Sequence, residues 1–342
     1  RVLRCGEVSP FLPVTRGVPQ GSVLGPTLFN IYVRRLPATA DTSGTKLLAF
    51  ADDKTVYASC PTAKEAADLV SHTLSALATD LQQLGLTINE NKTVVMFIAP
   101  KRSPVCPTPT ICIDGKVLTE VSSARCLGVV IDNKLSFTPH CDKLVAKVSR
   151  KIGALRRSFR QLSPCACRLY VLCVIQSDLE FAFQSFLPCL SAKDRGRLFA
   201  VHRRAIRAAC GAHYCADVDP LYHSLKLCPL DHRFLQLFIK FIFQCKVAHP
   251  VASLDSLFCR HSTPAYTTRG SSANNLSLCR YKTACGYRSL SSRIALLWNA
   301  LPFEMKSCNT SSAFNAHLAC LLNDGPQCTR LKQLLFENVF DE

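Results

Sequence analysis

The sequence predicts an α+β fold: a small antiparallel sheet with packed helices over the first 140 or so residues, then a mostly helical remainder. Three observations predict it. Short apolar runs broken by Pro and Gly fill the first part, and a longer helical periodicity replaces them at about residue 140. The 342 residues are 48% apolar and 19% charged, the composition of a globular chain. At roughly 100 to 200 residues per domain this length implies two or three domains, which we divide at 1–139, 140–210 and 211–342.

Taken in order, residues 15–32 read TRGVPQGSVLGPTLFNIY, a loop punctuated by Gly17, Gly21 and Gly25 that runs into an apolar helix. Glycines there let backbone approach a ligand where a side chain would collide. The pattern matches neither the Walker loop nor GxGxxG, so alone it reads equally as a turn before a core helix. Lys46 to Phe50 and Thr55 to Ala58 predict two strands of a hairpin with Asp52 and Asp53 at its tip. Thr62 with Glu65 forms a capping box, and Val70, Leu74, Leu77, Leu81 and Leu84 recur at helical spacing up to Gly85. Val94 to Ile98, Thr110 to Ile113 and Leu127 to Ile131 predict short strands.

Beyond residue 140, Leu144, Val148, Ile152, Leu155 and Phe159 make one apolar stripe. Lys143, Lys147, Arg150, Lys151, Arg156, Arg157 and Arg160 occupy much of the rest of that helix, seven cations against one acid, which exceeds what a solvated face needs. Basic residues cluster again from Lys193 to Arg207 before a helix end at Gly211, and 251–292 is rich in Ser and Thr and reads as loop. There is no internal repeat.

The charge sets the partner class. Forty-one Lys and Arg against 24 Asp and Glu give +17, a field that favours polyanions by attraction and counterion release. Nucleic acid leads, with an anionic membrane surface second. No run of 18 uninterrupted apolar residues exists, which argues against a membrane span. Twenty Cys are scattered with no leader pattern ahead of them, so we read free thiols in cytoplasm or nucleus rather than a secreted framework. Cys210, Cys215, His223 and Cys228 have a zinc-like order, but the first pair is wide and twenty Cys produce chance spacings; we favour thiols without metal. Arg1 falls inside a strand-and-loop pattern, and the chain is read as part of something longer.

Asp52 and Asp53 carry the chemistry. Adjacent carboxylates inside an apolar stretch repel and lose solvation, a cost that a divalent cation offsets. On the hairpin alone, a solvent-facing acidic turn is the preferred account. The two segments together change that. GVPQGSVLGPTLFNIY followed by LLAFADDKTVYAS resembles, in order, spacing and wording, the palm of reverse transcriptases of non-LTR (LINE-type) retrotransposons of the jockey, CR1 and L2 kind. GLTINENKTVVMF (85–97), CLGVVIDNKLSF (126–137), YTTRG (266–270) and LLWNALP (296–302) extend the resemblance over nearly the whole chain.

The resemblance implies a partial palm with motifs B to E, a thumb at 140–210 and the C-terminal region of LINE-type proteins after it. It puts Gln20 and Gly21 against nucleotide and template, and makes Asp52 and Asp53 catalytic ligands of Mg2+ or Mn2+. Lys92 would stand near the leaving pyrophosphate, although a surface Lys at a turn is its plain alternative. Leu127 and Gly128 would form the primer grip, and Lys143, Lys147, Arg150, Lys151, Arg156 and Arg157 would contact nucleic-acid backbone.

The implied partners are an RNA template, a DNA primer or target, and deoxynucleoside triphosphates. The implied activity is RNA-directed DNA synthesis by a two-metal nucleotidyl transfer. A third aspartate and the fingers would precede Arg1, so these residues by themselves are expected to be catalytically incomplete. A non-catalytic nucleic-acid-binding remnant is the alternative. A group II intron maturase or viral RNA polymerase is the nearest catalytic rival, and the YTTRG and LLWNALP segments argue against both.

Overall fold

A computed structural model describes residues 17–36 apart from 19, 44–99, 109–248 apart from 114, 274–278 and 283–336. It also describes the backbone pair β1 (Leu3–Arg4) and β2 (Glu7–Val8) and the single positions 254, 257, 258 and 281. The YTTRG segment lies outside the described residues. The chain forms two compact units, Arg1–Ser122 and Ser123–Glu342.

The first unit is built on α2 (Ala63–Gln83). The Thr62 hydroxyl accepts the Glu65 N–H at 3.2 Å and starts the helix as the capping box predicts. Gly85, at φ +67°, ends it: the Gly85 N–H reaches the Gln82 carbonyl and the Leu86 N–H reaches Leu81, a Schellman stop. Two apolar clusters use different parts of α2. Its N-terminal half packs Ala67, Val70 and Leu74 against Ile111, Ile113 and Leu118. Leu77, Leu81 and Leu84, further along, pack against α1 (Gly25–Tyr32), Val33, Leu36 and the hairpin of β3 (Thr45–Phe50) and β4 (Asp53–Ala58). A buried hydrogen bond between the Thr45 and Thr73 hydroxyls, 2.9 Å, pins β3 to α2.

The described sheet is a set of two-stranded ladders rather than one sheet. β5 (Val94–Val95) pairs parallel with β8 (Thr119–Glu120), while β6 (Cys112–Ile113) and β7 (Lys116–Val117) form an antiparallel hairpin. The strands are shorter than the apolar runs suggest, because each face of such a short ladder needs a helix to cover it and α2 covers only part.

The second unit opens with β9 (Ser123–Cys126) and β10 (Val129–Asp132), a hairpin that the expected boundary at 139/140 would assign to the unit before it. It belongs here because Val129 joins the core of the helices and the Val130 N–H donates to His140 Nδ1 at 3.3 Å. The principal helices are α3 (Thr138–Ser158), α4 (Pro164–Tyr170), α5 (Ala192–Ala209), α6 (Asp219–Leu225), α7 (Leu230–Phe243), α8 (Leu290–Ala300), α9 (Ser311–Asn323) and α10 (Gly325–Phe336). One continuous core runs through them from Val129 to Leu335, so no break in packing falls at residue 210. LLWNALP is part of that core: Leu297 and Trp298 are fully buried, and the Trp298 indole N–H donates to the Asn274 carbonyl at 2.8 Å. No helix among the described residues is long and apolar enough to cross a membrane.

Candidate functional site

The Asp52 carboxylate stands on a two-residue turn. Phe50 pairs with Asp53 across the hairpin, so Ala51 and Asp52 make the turn and Asp53 is already the first residue of β4. The expected turn of two aspartates is thereby corrected: one acid sits on the turn and the other on the strand, because the β3–β4 register closes one residue earlier. Both are exposed. Ala51 adopts φ +48°, a left-handed conformation that costs a residue with a Cβ about 1 kcal/mol or more.

Lys54, which the sequence reading passed over, supports this turn. Its ammonium donates to the Ala51 carbonyl at 2.5 Å and lies 5.7 Å from the Phe29 ring of α1, so it ties the helix after the Gly-rich loop to the turn that carries Asp52. Partial burial lowers the Lys54 ammonium below its ordinary value, against the raising effect of Asp52 and Asp53. A cation directly after two acids in ADDK was the available signal.

Gln20 and Gly21 lie exposed in the turn that leads to α1, with Gly21 at φ +87° and nothing near the place of a Cβ. The left-handed backbone, rather than crowding, therefore selects glycine there. α1, through Phe29, and the strands of the hairpin that carries Asp52, through Leu47 and Val56, belong to the same packed cluster. Lys92 sits elsewhere in this unit, exposed on the turn before β5, its N–H donating to the Asn89 carbonyl at 3.1 Å. β5 packs with the other cluster, through Val95.

In the second unit, Leu127 and Gly128 are not in a strand, as the reading of Leu127 to Ile131 had them, but form the turn of the β9–β10 hairpin. Cys126 pairs with Val129, and Leu127 and Gly128 have φ +45° and +93°, the two positive values of a type I′ turn. The Leu127 side chain is half exposed, while a Cβ on Gly128 would meet Phe181 at 2.9 Å. After β10, the Asp132 carboxylate accepts hydrogen bonds from the backbone N–H groups of Lys134, Ser136 and Phe137 and from the Ser136 hydroxyl, which fixes the entry to α3. Burial raises the Asp132 carboxyl, and these bonds outweigh it and hold the group below its ordinary value.

α3 buries Leu144, Val148, Ile152 and Leu155 as its periodicity predicts. Its cations divide into two sets. Lys147, itself exposed, and the half-buried Lys151 both reach Asp178, at 2.9 and 2.6 Å. Lys143, Arg150 and Arg157, spaced by seven residues, lie in one exposed line about 10 Å apart, with Ala146 and Gly153 between them. Arg156 is also exposed.

Carboxylate oxygens suit Mg2+ or Mn2+, and Asp52 and Asp53 would supply two such side chains. Among the described residues no group of three His, Cys, Asp or Glu side chains is placed to hold a metal ion. Of the zinc-like set, Cys215 is exposed and Cys210 Sγ lies 3.8 Å from the Ser224 hydroxyl.

Comparison with known proteins gives the family context. Residues 4–131 match the family model described as reverse transcriptase (RNA-dependent DNA polymerase). The chain is 31% identical over 222 residues to the probable RNA-directed DNA polymerase from transposon BS of Drosophila melanogaster, covering 62% of this chain and 24% of that protein. It is 32% identical over 222 residues to the probable RNA-directed DNA polymerase from transposon X-element of the same fly, covering 63% and 24%. To the RNA-directed DNA polymerase from mobile element jockey, also of D. melanogaster, it is 21% identical over 252 residues, covering 72% and 27%. The chain thus spans about a quarter of the length of these relatives. No solved structure matches it.

Proposed function

We propose, from the premise that residues 4–131 are a reverse transcriptase segment of the LINE type, that this chain works in RNA-directed DNA synthesis as part of a retrotransposon polymerase. The observation that carries the proposal is the exposed Asp52 on a strained two-residue turn, beside Asp53, on a hairpin whose strands pack with the helix that follows the Gly-rich loop. Strain of this kind persists where the surroundings hold it, and here Lys54 and Phe29 do so.

Divalent ions bound at the carboxylates would neutralise the triphosphate and activate the primer hydroxyl. Asp52 is the direct ligand in this reading, and Asp53 the supporting acid. Gln20 and Gly21 present a backbone edge without a side-chain obstacle, suited to an incoming deoxynucleotide opposite its template base. Lys92 offers an ammonium to the departing pyrophosphate. The projecting Leu127–Gly128 turn supports the primer's 3′ end. Residues 140–210 act as the thumb, with Lys143, Arg150, Arg156 and Arg157 on the sugar-phosphate backbone. Lys147 and Lys151, bound to Asp178, shape that face more than they contact the strand.

The test uses the complete reading frame that contains this chain. Asp52→Asn should abolish metal-dependent extension of a DNA primer on an RNA template while template binding changes less than about twofold. Extension that survives the substitution would remove Asp52 from the mechanism. Salt-dependent binding in a wild-type protein with no extension at all would favour the binding remnant instead.

A further inference from the structure

We propose that Phe181 is a positioning residue for primer extension: its ring seats on Gly128 and fixes the Leu127–Gly128 turn, so that the turn meets the primer's 3′ end in one place. This role rests on the reading of that turn as the primer support and adds the side chain, far along the sequence, through which the turn is set.

The contact is close. A Cβ on Gly128 would lie 2.9 Å from Cε1 and 3.3 Å from Cζ of Phe181, so the edge of the ring occupies the space that a side chain at 128 would take. Gly21 has the same kind of backbone with nothing near its Cβ position, whereas glycine at 128 is selected twice, by a φ of +93° and by this ring. Phe181 is exposed and stands outside the core that takes in its neighbours Phe183 and Phe186. Its packing is with the hairpin tip.

The chain on either side holds the ring there. Glu180 is gripped by Arg233 of α7 through two hydrogen bonds, of 2.8 and 3.3 Å, and accepts a third from the Gln176 amide. Phe183 is buried and stacks on Phe234 of α7, with ring centroids 4.7 Å apart. Consecutive residues of one helix thus anchor both flanks of the pair Phe181 and Ala182. Asp178, just before them, takes Lys147 and Lys151 of α3. Between these anchors Ala182, at φ +51°, turns the chain: residue 183 enters the core and residue 181 stays outside against the turn. Leu127, at φ +45°, is strained on the other side of the same contact. One left-handed residue with a Cβ therefore stands beside each partner, and strain of this kind is sustained only where the surroundings over-determine it. Through Phe181, the position of α7 and α3 is passed to the tip of the hairpin.

The test uses the complete reading frame, with a DNA primer on an RNA template, and measures the extension rate and primer–template affinity separately. Phe181→Ala should lower kcat about tenfold or more, since a 1 Å misplacement at a reacting end costs up to about 100-fold, while Kd for the primer–template changes less than about twofold. Gly128→Ala should give a similar loss, and the double variant should be no slower than the slower single one, because both disturb one contact. Phe181→Tyr keeps the ring edge and should extend like wild type. Phe181→Leu stays apolar but ends short of the ring's Cε1 and Cζ; it should lose kcat as alanine does, and it carries the test if Phe181→Ala lowers the melting temperature. Losses that multiply in the double variant would overturn the proposal, as would a loss that appears wholly as weaker primer–template binding. Normal extension by Phe181→Ala and Phe181→Leu, where Asp52→Asn is inactive, would overturn this role alone. A wild-type protein that does not extend primers would overturn the polymerase reading and this role with it.

Discussion

Leu127 holds a left-handed backbone conformation at φ +45°, where glycine would rest without strain, and still presents a half-exposed apolar side chain at the tip of its hairpin. Leu127→Gly should therefore stabilise the protein by about 1 kcal/mol in urea denaturation. If the tip supports the primer, the same variant should extend primers less well. A stabilised variant with undiminished extension would leave Leu127 without that role. His202 makes a pH prediction. Its folded value, about 4, is below the ordinary 6.5, so between these values the unfolded chain binds a proton that the folded chain refuses. Its contribution is fully present above about pH 6.5 and is lost as the pH falls toward 4, by about 3 kcal/mol. Thermal melts across that window should show a shallower acid slope in His202→Leu than in wild type, and parallel slopes would assign the loss to other groups.

At the scale of elements, α3 does two jobs with one set of cations. Its apolar stripe builds the core, Lys147 and Lys151 close on Asp178, and Lys143, Arg150 and Arg157 are left in line on the surface. Alanine at these last three should lower the magnitude of the slope of log K against log salt by about 2 to 3, since each phosphate contact contributes about 0.7 to 0.9. The double change Lys147→Ala and Lys151→Ala should move that slope by less than about 1 and instead cost up to about 1 kcal/mol of stability per pair. Equal effects of the two sets on the slope would show that Asp178 does not withdraw its lysines from the strand. The β9–β10 hairpin rests on a different kind of contact. Asp132 answers four donors with one carboxylate, and Asp132→Ala should cost about 1 to 3 kcal/mol by leaving buried N–H groups unpaired, read as a shift of the denaturation midpoint.

For the molecule as a whole, +17 predicts binding to RNA or DNA that falls by orders of magnitude between 50 and 200 mM salt if about six or more phosphates are engaged. Affinity that stays flat across that range would contradict a phosphate-led interface. Local chemistry was legible in the sequence wherever neighbours in the chain decide it. The capping box of α2 and its Gly85 stop, the burial of Leu144 to Leu155, the hairpin around the aspartates and the charge all follow from residue type and spacing. Its wording also resembles LINE-type reverse transcriptases, and residues 4–131 match the reverse transcriptase family model. Register and partnership were not legible, because they depend on residues far apart in the chain. That Asp53 belongs to β4, that Leu127 and Gly128 make a turn, and that Asp178 claims Lys147 and Lys151 are such facts. So is the joining of Tyr222 to the buried His202, twenty residues apart in the chain. Backbone propensity and periodicity act over a few residues, whereas which cation is left exposed and which imidazole is sealed from water is decided only when the helices pack.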